Sequence, residues 1–303
     1  MPVGKLSVTT GHATGNEQHV KISNDLKLPE PIVAAIRNDP YDREDADYTP
    51  TSLIRPVRIA SLTRKWDASM TEDASDRIFA LLGQAVHTIM ERAATDRYIV
   101  EKRFFWVIGG KKIGGKIDIY DRETQTMANY KICSRHVVND GVKPEWQAQA
   151  SIETWLMRKN EVPVKGYQIV AIFRDWSKLA AERKNDYPDR QVAILPVTLW
   201  DTETTETYIR NRITAHELGK DSPPVCTPEE RWERPTKWAL MRKGQKRAIK
   251  LFGSEIEALA ATDGPSEKYV QPRPGENVRC LHYCPVVSYC SFGRELVREA
   301  AGQ

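Results

Sequence analysis

Asp118, Asn129 and Lys131 are the residues whose types and spacing point most directly to chemistry. A carboxylate can hold Mg²⁺ or Mn²⁺, a side-chain carbonyl can act as a further oxygen ligand, and a lysine can stabilise developing negative charge. Hydrolysis of a phosphodiester needs such a set, because the metal activates a water that the ammonium helps to position. The three residues therefore form a candidate catalytic patch, in which position 129 brings no negative charge.

The two segments that carry these residues have the pattern of neighbouring strands. Side chains alternate between the two faces of a strand, so residues 129 and 131 share a face while 128, 130 and 132 point the other way. Residues 121–126 between the segments are polar and turn-like, which predicts a hairpin. This hairpin would bring Asp118, Asn129 and Lys131 together. A hairpin with incidental polar residues is the alternative when this pattern is taken alone.

Helices are predicted on both sides of the hairpin. Upstream, apolar residues recur at 78, 82, 85, 86, 89 and 93, which is a helical stripe. His87 and Glu91 lie four residues apart on the opposite, polar face, so a solvated helix surface is the alternative to a functional one. Downstream, a helix that contains Gln149 and Glu153 follows Pro144, a favourable first-turn residue.

In this order the motifs resemble those of the PD-(D/E)XK nuclease superfamily, and of its RecB-like branch in particular. The superfamily pattern is an aspartate, a spacer, an acidic residue, any residue and a lysine, and the chain departs from it by having Asn129 at the acidic position. The branch also has a G-x-x-x-H-x-x-x-E helix, which matches Gly83, His87 and Glu91.

The branch has a Q-x-x-x-Y helix as well. Gln149 matches its glutamine, but Glu153 stands where tyrosine is expected. Gln149 is thus a candidate for positioning substrate, with a surface glutamine as the alternative.

The resemblance implies a Mg²⁺ or Mn²⁺ site and a role for each matched residue. Asp118 would hold the principal metal, His87 would be its second ligand, and Asn129 would be a weakened third ligand. Lys131 would orient the attacking water. The implied metal ligands are His87, Asp118, Asn129 and the carbonyl of Tyr130, with Glu91 and Glu101 as further acidic candidates. Loss of a carboxylate at 129 predicts that metal binding is impaired.

Four of the five cysteines fall late in the chain, at Cys226, Cys280, Cys284 and Cys290. Four thiolates can hold an iron–sulfur cluster or a zinc ion. The arrangement resembles the [4Fe-4S] site of RecB-like exonucleases, including CRISPR-associated and helicase-fused members, although the trio is spaced by three and then five residues rather than two and five. Zinc, with His282 as a substitute ligand, is the alternative, and free thiols are the third possibility.

The segment from Thr227 to Leu251 is rich in cations, with two tryptophans among them. Cations contact phosphates and aromatic faces stack on bases, as in single-strand channels. The DNA-binding candidates are Gln149, Arg231, Trp232, Lys243 and Arg247. A solvated hairpin and helix with tryptophan packed beneath is the alternative. The whole chain has a net charge of only +4, which is compatible with a nucleic-acid partner and does not require one.

The expected fold is α/β, with a PD-(D/E)XK restriction-endonuclease-like core and a C-terminal, cysteine-stapled subdomain. Residues 1–50 would be a loosely ordered arm, 51–220 the nuclease core and 221–303 the basic cluster-binding region. Helices are expected near 76–94, 145–158, 201–218 and 255–261, strands near 98–107, 112–120, 126–132, 166–174 and 191–199, and a hairpin over 237–252.

The predicted function is that of a metal-dependent DNA exonuclease, acting on single strands or duplex ends and impaired by Asn129. One alternative is a non-catalytic DNA-binding pseudonuclease in a recombination or spacer-acquisition complex, with a recombinase, helicase or CRISPR-type partner. Another is a zinc-stapled nucleic-acid protein. No apolar run is long enough to span a membrane and Met1 to Gly15 has no signal core, which predicts a reducing cytoplasmic setting. The RecB-like resemblance implies that this is the cytoplasm of a prokaryotic or phage-infected cell.

Overall fold

A computed structural model describes residues 20–39, 43–183, 186–262 and 267–302. The chain divides into two compact units. The first comprises residues up to Ile54 and Asp67–Ile213, and the second comprises Arg55–Trp66 and Thr214–Gln303. The second unit is therefore discontinuous in sequence, because it includes a helical segment from before the first unit's main sheet. No helix in the described part of the chain is long and apolar enough to cross a membrane.

The first unit is a mixed α/β structure. Its strands are β1 (Lys21–Ser23), β2 (Thr71–Asp73), β3 (Tyr98–Ile108), β4 (Lys111–Asp121), β5 (Thr126–Cys133), β6 (Gly166–Phe173) and β7 (Val192–Pro196). Its helices are α1 (Glu30–Arg37), α2 (Pro50–Ile54), α4 (Ile78–Met90), α5 (Val137–Asp140), α6 (Pro144–Lys159), α7 (Lys178–Ala181) and α8 (Thr202–Leu218), whose last turn belongs to the second unit; α3 (Val57–Trp66) lies in the second unit.

A mixed five-stranded sheet in the order β3-β4-β5-β6-β7 forms the centre of this unit. Only β5 and β6 are parallel, and α6 connects them, as a parallel pair requires a crossover. The remaining neighbours are antiparallel. The predicted strands and helices of this region are confirmed to within a few residues, because period-two and period-3.6 patterns are long and distinct here.

The core of the first unit lies between the sheet and α6. Ile113, Ile117 and Met127 from the sheet, and Ile152 and Leu156 from α6, are all fully buried. Gly115 lets α6 approach β4 closely, since a Cβ there would lie 2.6 Å from Leu156 Cδ1. Helix α6 is thereby fixed over β4, the strand that carries Asp118.

Helix α4 is less buried than its apolar stripe predicts. None of its residues is buried, and Phe79, Leu82 and Ile89 are between 46% and 53% exposed. The helix instead turns its polar side, with His87, toward the site described below. Apolar periodicity identified the helix but not which face the rest of the unit covers.

The predicted loose arm is only partly described, because residues 1–19 and 40–42 lie outside the described residues. Within the rest, β1 pairs in parallel with β2, and α1 buries Val33 and Ile36 against Ala74. Residues 21–37 thus form regular structure, contrary to the expectation of a loose arm for this stretch.

The second unit has a small three-stranded sheet in the order β10-β9-β11, with short elements around it. Its elements are α3, β8 (Glu233–Arg234), β9 (Lys237–Arg242), β10 (Lys250–Phe252), α9 (Glu255–Ala260), β11 (Lys268–Arg273), β12 (Glu276–Asn277) and α10 (Ser291–Ala300). A π-helical turn at Arg279–Tyr283 precedes α10. The predicted hairpin over 237–252 and the helix that follows it are confirmed.

Candidate metal site and cysteine cavity

The sheet opens around Asp118, which is the structural origin of the candidate site. Strands β3 and β4 pair through Val100 with Ile119 and through Lys102 with Ile117, but Glu101 and Asp118 do not complete the ladder between them. Glu101 has a left-handed backbone, with φ of +49°. This conformation is unfavourable for a residue with a side chain, and such outliers concentrate at functional sites.

The other edge of β4 is also released at this point. Its pairing with β5 runs from Asp121 only as far as Ile119, which lies opposite Ala128. Past Ile119, the Asp118 carboxylate provides the acceptor that a paired backbone carbonyl would otherwise provide. Its Oδ2 accepts the N–H of Tyr130 at 2.9 Å. One buried carboxylate therefore lies where β5 parts from β4, opposite a single interruption of the β3–β4 ladder.

His87, Glu101 and Asp118 converge in this opening. Each offers one ligand atom, and these three atoms all lie within 4.8 Å of one another. His87 Nδ1 is 2.8 Å from Glu101 Oε1 and 3.7 Å from Asp118 Oδ1. Two carboxylates and an imidazole form a donor set suited to a divalent cation such as Mg²⁺ or Mn²⁺. The predicted residues His87 and Asp118 are brought together, and Glu101 completes the group.

The charges of the group are strongly coupled. The hydrogen bond that the His87 imidazole donates to the Glu101 carboxylate raises the pKa of His87, and the charge of Asp118 adds to this effect. Burial disfavours a charged Glu101, yet its hydrogen bonds with His87 and Lys116 outweigh burial and lower its pKa. Burial raises the pKa of Asp118, although His87 and the Tyr130 N–H favour its charged form. A cation that displaced the His87 proton would be held by both carboxylates.

Asn129 is 2% exposed and directly precedes Tyr130, whose backbone N–H donates to the Asp118 carboxylate. Its side chain hydrogen-bonds the hydroxyl of Tyr167, and within the described residues its Oδ1 is buried without a hydrogen-bond partner. The amide nitrogen therefore makes the tyrosine contact. Buried carbonyl oxygens are rarely left unsatisfied in folded proteins, and a bound cation would satisfy this one. The residues present thus fit a divalent metal at this position.

Lys131 belongs to a partly buried hydrogen-bond chain, which the sequence predicted only in part. Lys131 Nζ donates to Gln149 Oε1 at 3.0 Å, and Gln149 Nε2 donates to Glu153 Oε1 at 2.8 Å. The hydroxyl of Tyr167 donates to Glu153 Oε2. Burial and the charge of Asp118 raise the pKa of Glu153 to about 7, and burial together with Glu153 raises that of Tyr167 well above 10. Gln149 is a link in this chain and not a free surface residue.

Glu91 lies apart from the site. Helix α4 ends at Met90, and Glu91 begins an exposed 3-10 turn that is outside the group of His87, Glu101 and Asp118. The residues that motif matching missed are Lys116, whose ammonium pairs with Glu101, and Tyr167. Lys116 carried a detectable signal, since it lies two residues before Asp118 and therefore on the same face of β4.

In the second unit, Cys226, Cys280, Cys284 and Cys290 line one cavity. Burial raises the pKa of Cys226 to about 12, with further contributions from Glu230 and the other thiols, and burial likewise raises the pKa of Cys280 and Cys284. Cys226, Cys280 and Cys284 therefore favour the neutral thiol until a metal displaces their protons. Cys133 is separate from them and packs against the core of the first unit.

The surroundings of the cavity supply donors to sulfur. Arg58 Nε lies 3.0 Å from Cys290 Sγ, and the backbone N–H of Gly293 lies 3.5 Å from the same atom. His282 does not line the cavity, and its Nε2 is 2.7 Å from Glu276 Oε1. The idea that His282 replaces a cysteine ligand is thus not supported by its position.

The predicted DNA-binding residues of the second unit differ in their surroundings. The Arg231 guanidinium is hydrogen-bonded within the unit, to Asn277, the Cys226 carbonyl and Glu233. Trp232 is 40% exposed and Arg279 stacks on its ring at 4.0 Å. Lys243 and Arg247 are exposed, and Lys243 pairs loosely with Glu267 at 3.5 Å.

Comparisons with known proteins add little to this geometry. No protein-family model matches the chain, and no curated protein sequence matches it. Among solved structures, one similar chain is described as "Crystal structure of SSO0001"; it is 18% identical, with a TM-score of 0.44 over 66% of this chain and 88% of that chain. A similarity of this strength supports no argument about function.

Proposed function

We propose that the protein is a metal-dependent DNA exonuclease of RecB-like type, built on a PD-(D/E)XK core with a C-terminal, cysteine-stapled subdomain, and that Asn129 weakens its metal site. One observation carries this proposal. It is the convergence of His87, Glu101 and Asp118 at an interruption of the β3–β4 ladder, with the buried and unpartnered Oδ1 of Asn129 on the neighbouring strand β5.

The residues that would hold Mg²⁺ or Mn²⁺ are His87, Glu101 and Asp118, with the Asn129 Oδ1 as a neutral fourth donor and the Tyr130 carbonyl as a candidate from the resemblance. A bound divalent ion supplies positive charge for the phosphate and acidifies water. Lys131 places an ammonium near Asp118, where it can orient a nucleophile and stabilise charge that develops on the phosphate.

Asn129 makes the metal site weaker than a carboxylate would. Two unit charges about 4 Å apart in a medium of effective dielectric ~20 attract each other by about 4 kcal/mol. A divalent ion that lacks the carboxylate charge at position 129 would lose at least that much binding free energy. Since about 1.4 kcal/mol is a factor of ten, the difference amounts to several orders of magnitude in affinity. We therefore expect turnover only at high concentrations of Mn²⁺ or Mg²⁺.

We propose further that Cys226, Cys280, Cys284 and Cys290 hold a [4Fe-4S] cluster with a structural role. A single tetrahedral zinc, with Zn–S near 2.3 Å, would need sulfurs about 3.8 Å apart. Within the described residues no three of these thiols approach one another within 4.8 Å. The four thiols nevertheless line one cavity, and the donors from Arg58 and Gly293 suit a cluster sulfur.

A non-catalytic DNA-binding module is the second candidate function, and the neutral Asn129 is the observation that favours it. DNA binding would then survive any change at position 129, and restoring a carboxylate there would yield no turnover. The same experiment separates the two functions.

The test is degradation of end-labelled single-stranded and duplex DNA in Mn²⁺ by the unaltered chain, Asn129→Asp and Asp118→Asn. We expect slow turnover by the unaltered chain, faster turnover by Asn129→Asp and none by Asp118→Asn. Absence of turnover in both the unaltered chain and Asn129→Asp, with the metal bound and the proteins folded, would overturn the nuclease proposal.

A further inference from the structure

Glu153 is an unusual residue for the interior of this unit. It is 3% exposed, on a helix whose neighbouring residues Ile152 and Leu156 are fully buried core. A carboxyl group is costly to bury without a cation to pair with, and within the described residues no salt bridge joins Glu153 to one. Packing alone therefore gives no reason for a glutamate at this position.

The partners of Glu153 connect it to both ends of the Asn129-Tyr130-Lys131 motif. On one side, Gln149 bridges Glu153 to Lys131, since its Nε2 donates to the carboxylate and its Oε1 accepts from the ammonium. On the other side, the Tyr167 hydroxyl donates to Glu153 and hydrogen-bonds Asn129. Both carboxylate oxygens accept, so the carboxylate is the hub of this network.

We propose that Glu153 supplies, from helix α6, the buried negative charge that Asn129 does not supply from strand β5, and that it positions Lys131 through Gln149. Glu153 is a positioning residue in this proposal and not a metal ligand, because it is outside the group whose ligand atoms lie within 4.8 Å. The inference rests on the proposed metal-dependent function and assigns the compensating residue of that same site.

The proposal explains two departures from the expected pattern as one change. Relative to the pattern that the resemblance implies, position 129 is without a carboxylate and position 153 has one, and the side chains at both positions are hydrogen-bonded to Tyr167. A carboxylate at 153 would restore charge to the buried region without restoring a metal ligand, so the site would stay weaker than one with a carboxylate at 129. Carboxylates at both positions, with Glu101 and Asp118, would crowd four acidic groups into one buried region.

A double-mutant cycle tests this coupling, with Asn129→Asp, Glu153→Gln and the combined variant, at a pH above the Glu153 pKa of about 7 so that this carboxyl is charged. In metal-free protein, we expect Asn129→Asp to lower Tm, and the combined variant to have a higher Tm than Asn129→Asp alone. Glu203→Gln is the matched control, because Glu203 is an exposed glutamate of the same unit. Paired with Asn129→Asp, it should leave the Tm unchanged relative to Asn129→Asp alone.

Mn²⁺ affinity distinguishes a positioning role of Glu153 from a merely structural one. We expect Glu153→Gln to weaken Mn²⁺ binding at least about tenfold in calorimetry, because a unit charge acts on a divalent ion over several ångströms in a medium of low effective dielectric. Adding Asn129→Asp to this variant should recover the affinity. A structural role for Glu153 predicts no such recovery.

Both readouts are independent of turnover, so they separate this inference from the exonuclease proposal. If the Tm changes simply add and Mn²⁺ affinity does not recover, Glu153 does not compensate for Asn129, whatever the DNA assay shows. If the coupling and recovery are found while DNA is not degraded, the compensation stands and the exonuclease function fails.

Discussion

Glycine should be more stable than alanine at position 101, although this position lies in the middle of a strand. In an ordinary strand, glycine is less stable than alanine by about 0.5–1 kcal/mol because it loses more conformational freedom on folding. Glu101 has φ of +49°, and a left-handed backbone costs a residue with a Cβ about 1–2 kcal/mol. The balance favours Glu101→Gly over Glu101→Ala by about 0.7 kcal/mol.

Lys102 provides the matched control, because it is an exposed neighbour in the same strand and is outside the left-handed region. There the usual order should hold, with Lys102→Ala more stable than Lys102→Gly by about 0.5–1 kcal/mol. The two positions should therefore differ by about 1.5 kcal/mol. In a unit of this size, that corresponds to roughly 3–6 °C in Tm, which thermal unfolding of the four variants would resolve.

Mn²⁺ titration of the two Glu101 variants tests whether this strained residue belongs to the metal site. Both Glu101→Gly and Glu101→Ala remove the carboxylate that contacts His87 and Lys116, so both should lose metal affinity to a similar extent. An alanine variant at 101 that is more stable than the glycine variant, as at 102, would refute the argument from backbone strain. Undiminished Mn²⁺ binding in either variant would remove Glu101 from the metal site.

Three further outcomes are expected. The hydrogen bond from Arg97 lowers the pKa of Asp121 to about 2, below its unfolded value, so Asp121 stabilises the fold above about pH 4 and this contribution is lost as pH falls toward 2. Asp121→Asn should accordingly have a lower Tm than the unaltered chain at pH 6, with a gap that narrows below pH 4; a constant gap would contradict the assigned pKa. Purified protein should be brown with broad absorbance near 400 nm, and Cys280→Ser should lose this absorbance, whereas a colourless protein with stoichiometric zinc would overturn the cluster. Trp232→Ala should weaken single-stranded DNA binding by roughly 1–3 kcal/mol, with Trp232→Phe close to the unaltered chain, and equal affinity of all three would exclude base stacking at this residue.

The sequence predicted the strand hairpin and its helices well, because alternation over β4 and β5 and helical periodicity over α6 are local signals. The same alternation predicted that Asp118 and Asn129 share a patch with Lys131, and the structure adds that Asp118 and Asn129 are buried. Motif matching found His87 by its spacing from Gly83, and the structure puts it against Glu101 and Asp118. These features depend on neighbours close in sequence or on a recognised pattern.

The missed features depend on contacts that sequence patterns do not encode. A glutamate such as Glu153 reads as a solvated residue, and only the packing of α6 against β6 shows it to be buried beside Tyr167. The left-handed conformation of Glu101 has no local signal, since glycine or asparagine would be the usual residue there. Arg231, predicted to meet phosphate, is instead bound to internal acceptors, which composition alone cannot reveal.

The discontinuity of the second unit constrains how the protein can fold during synthesis. Helix α3 carries Arg58, whose partner Cys290 is 232 residues later in the chain. At translation rates of about 5–20 residues per second, α3 waits roughly 10–50 s for the segment that it will hold. The apolar side chains of Val57 and Ile59, buried in the finished unit, stay without their final contacts during that interval. The first unit can complete its sheet on the ribosome, whereas the cysteine cavity closes only when nearly the whole chain has been made.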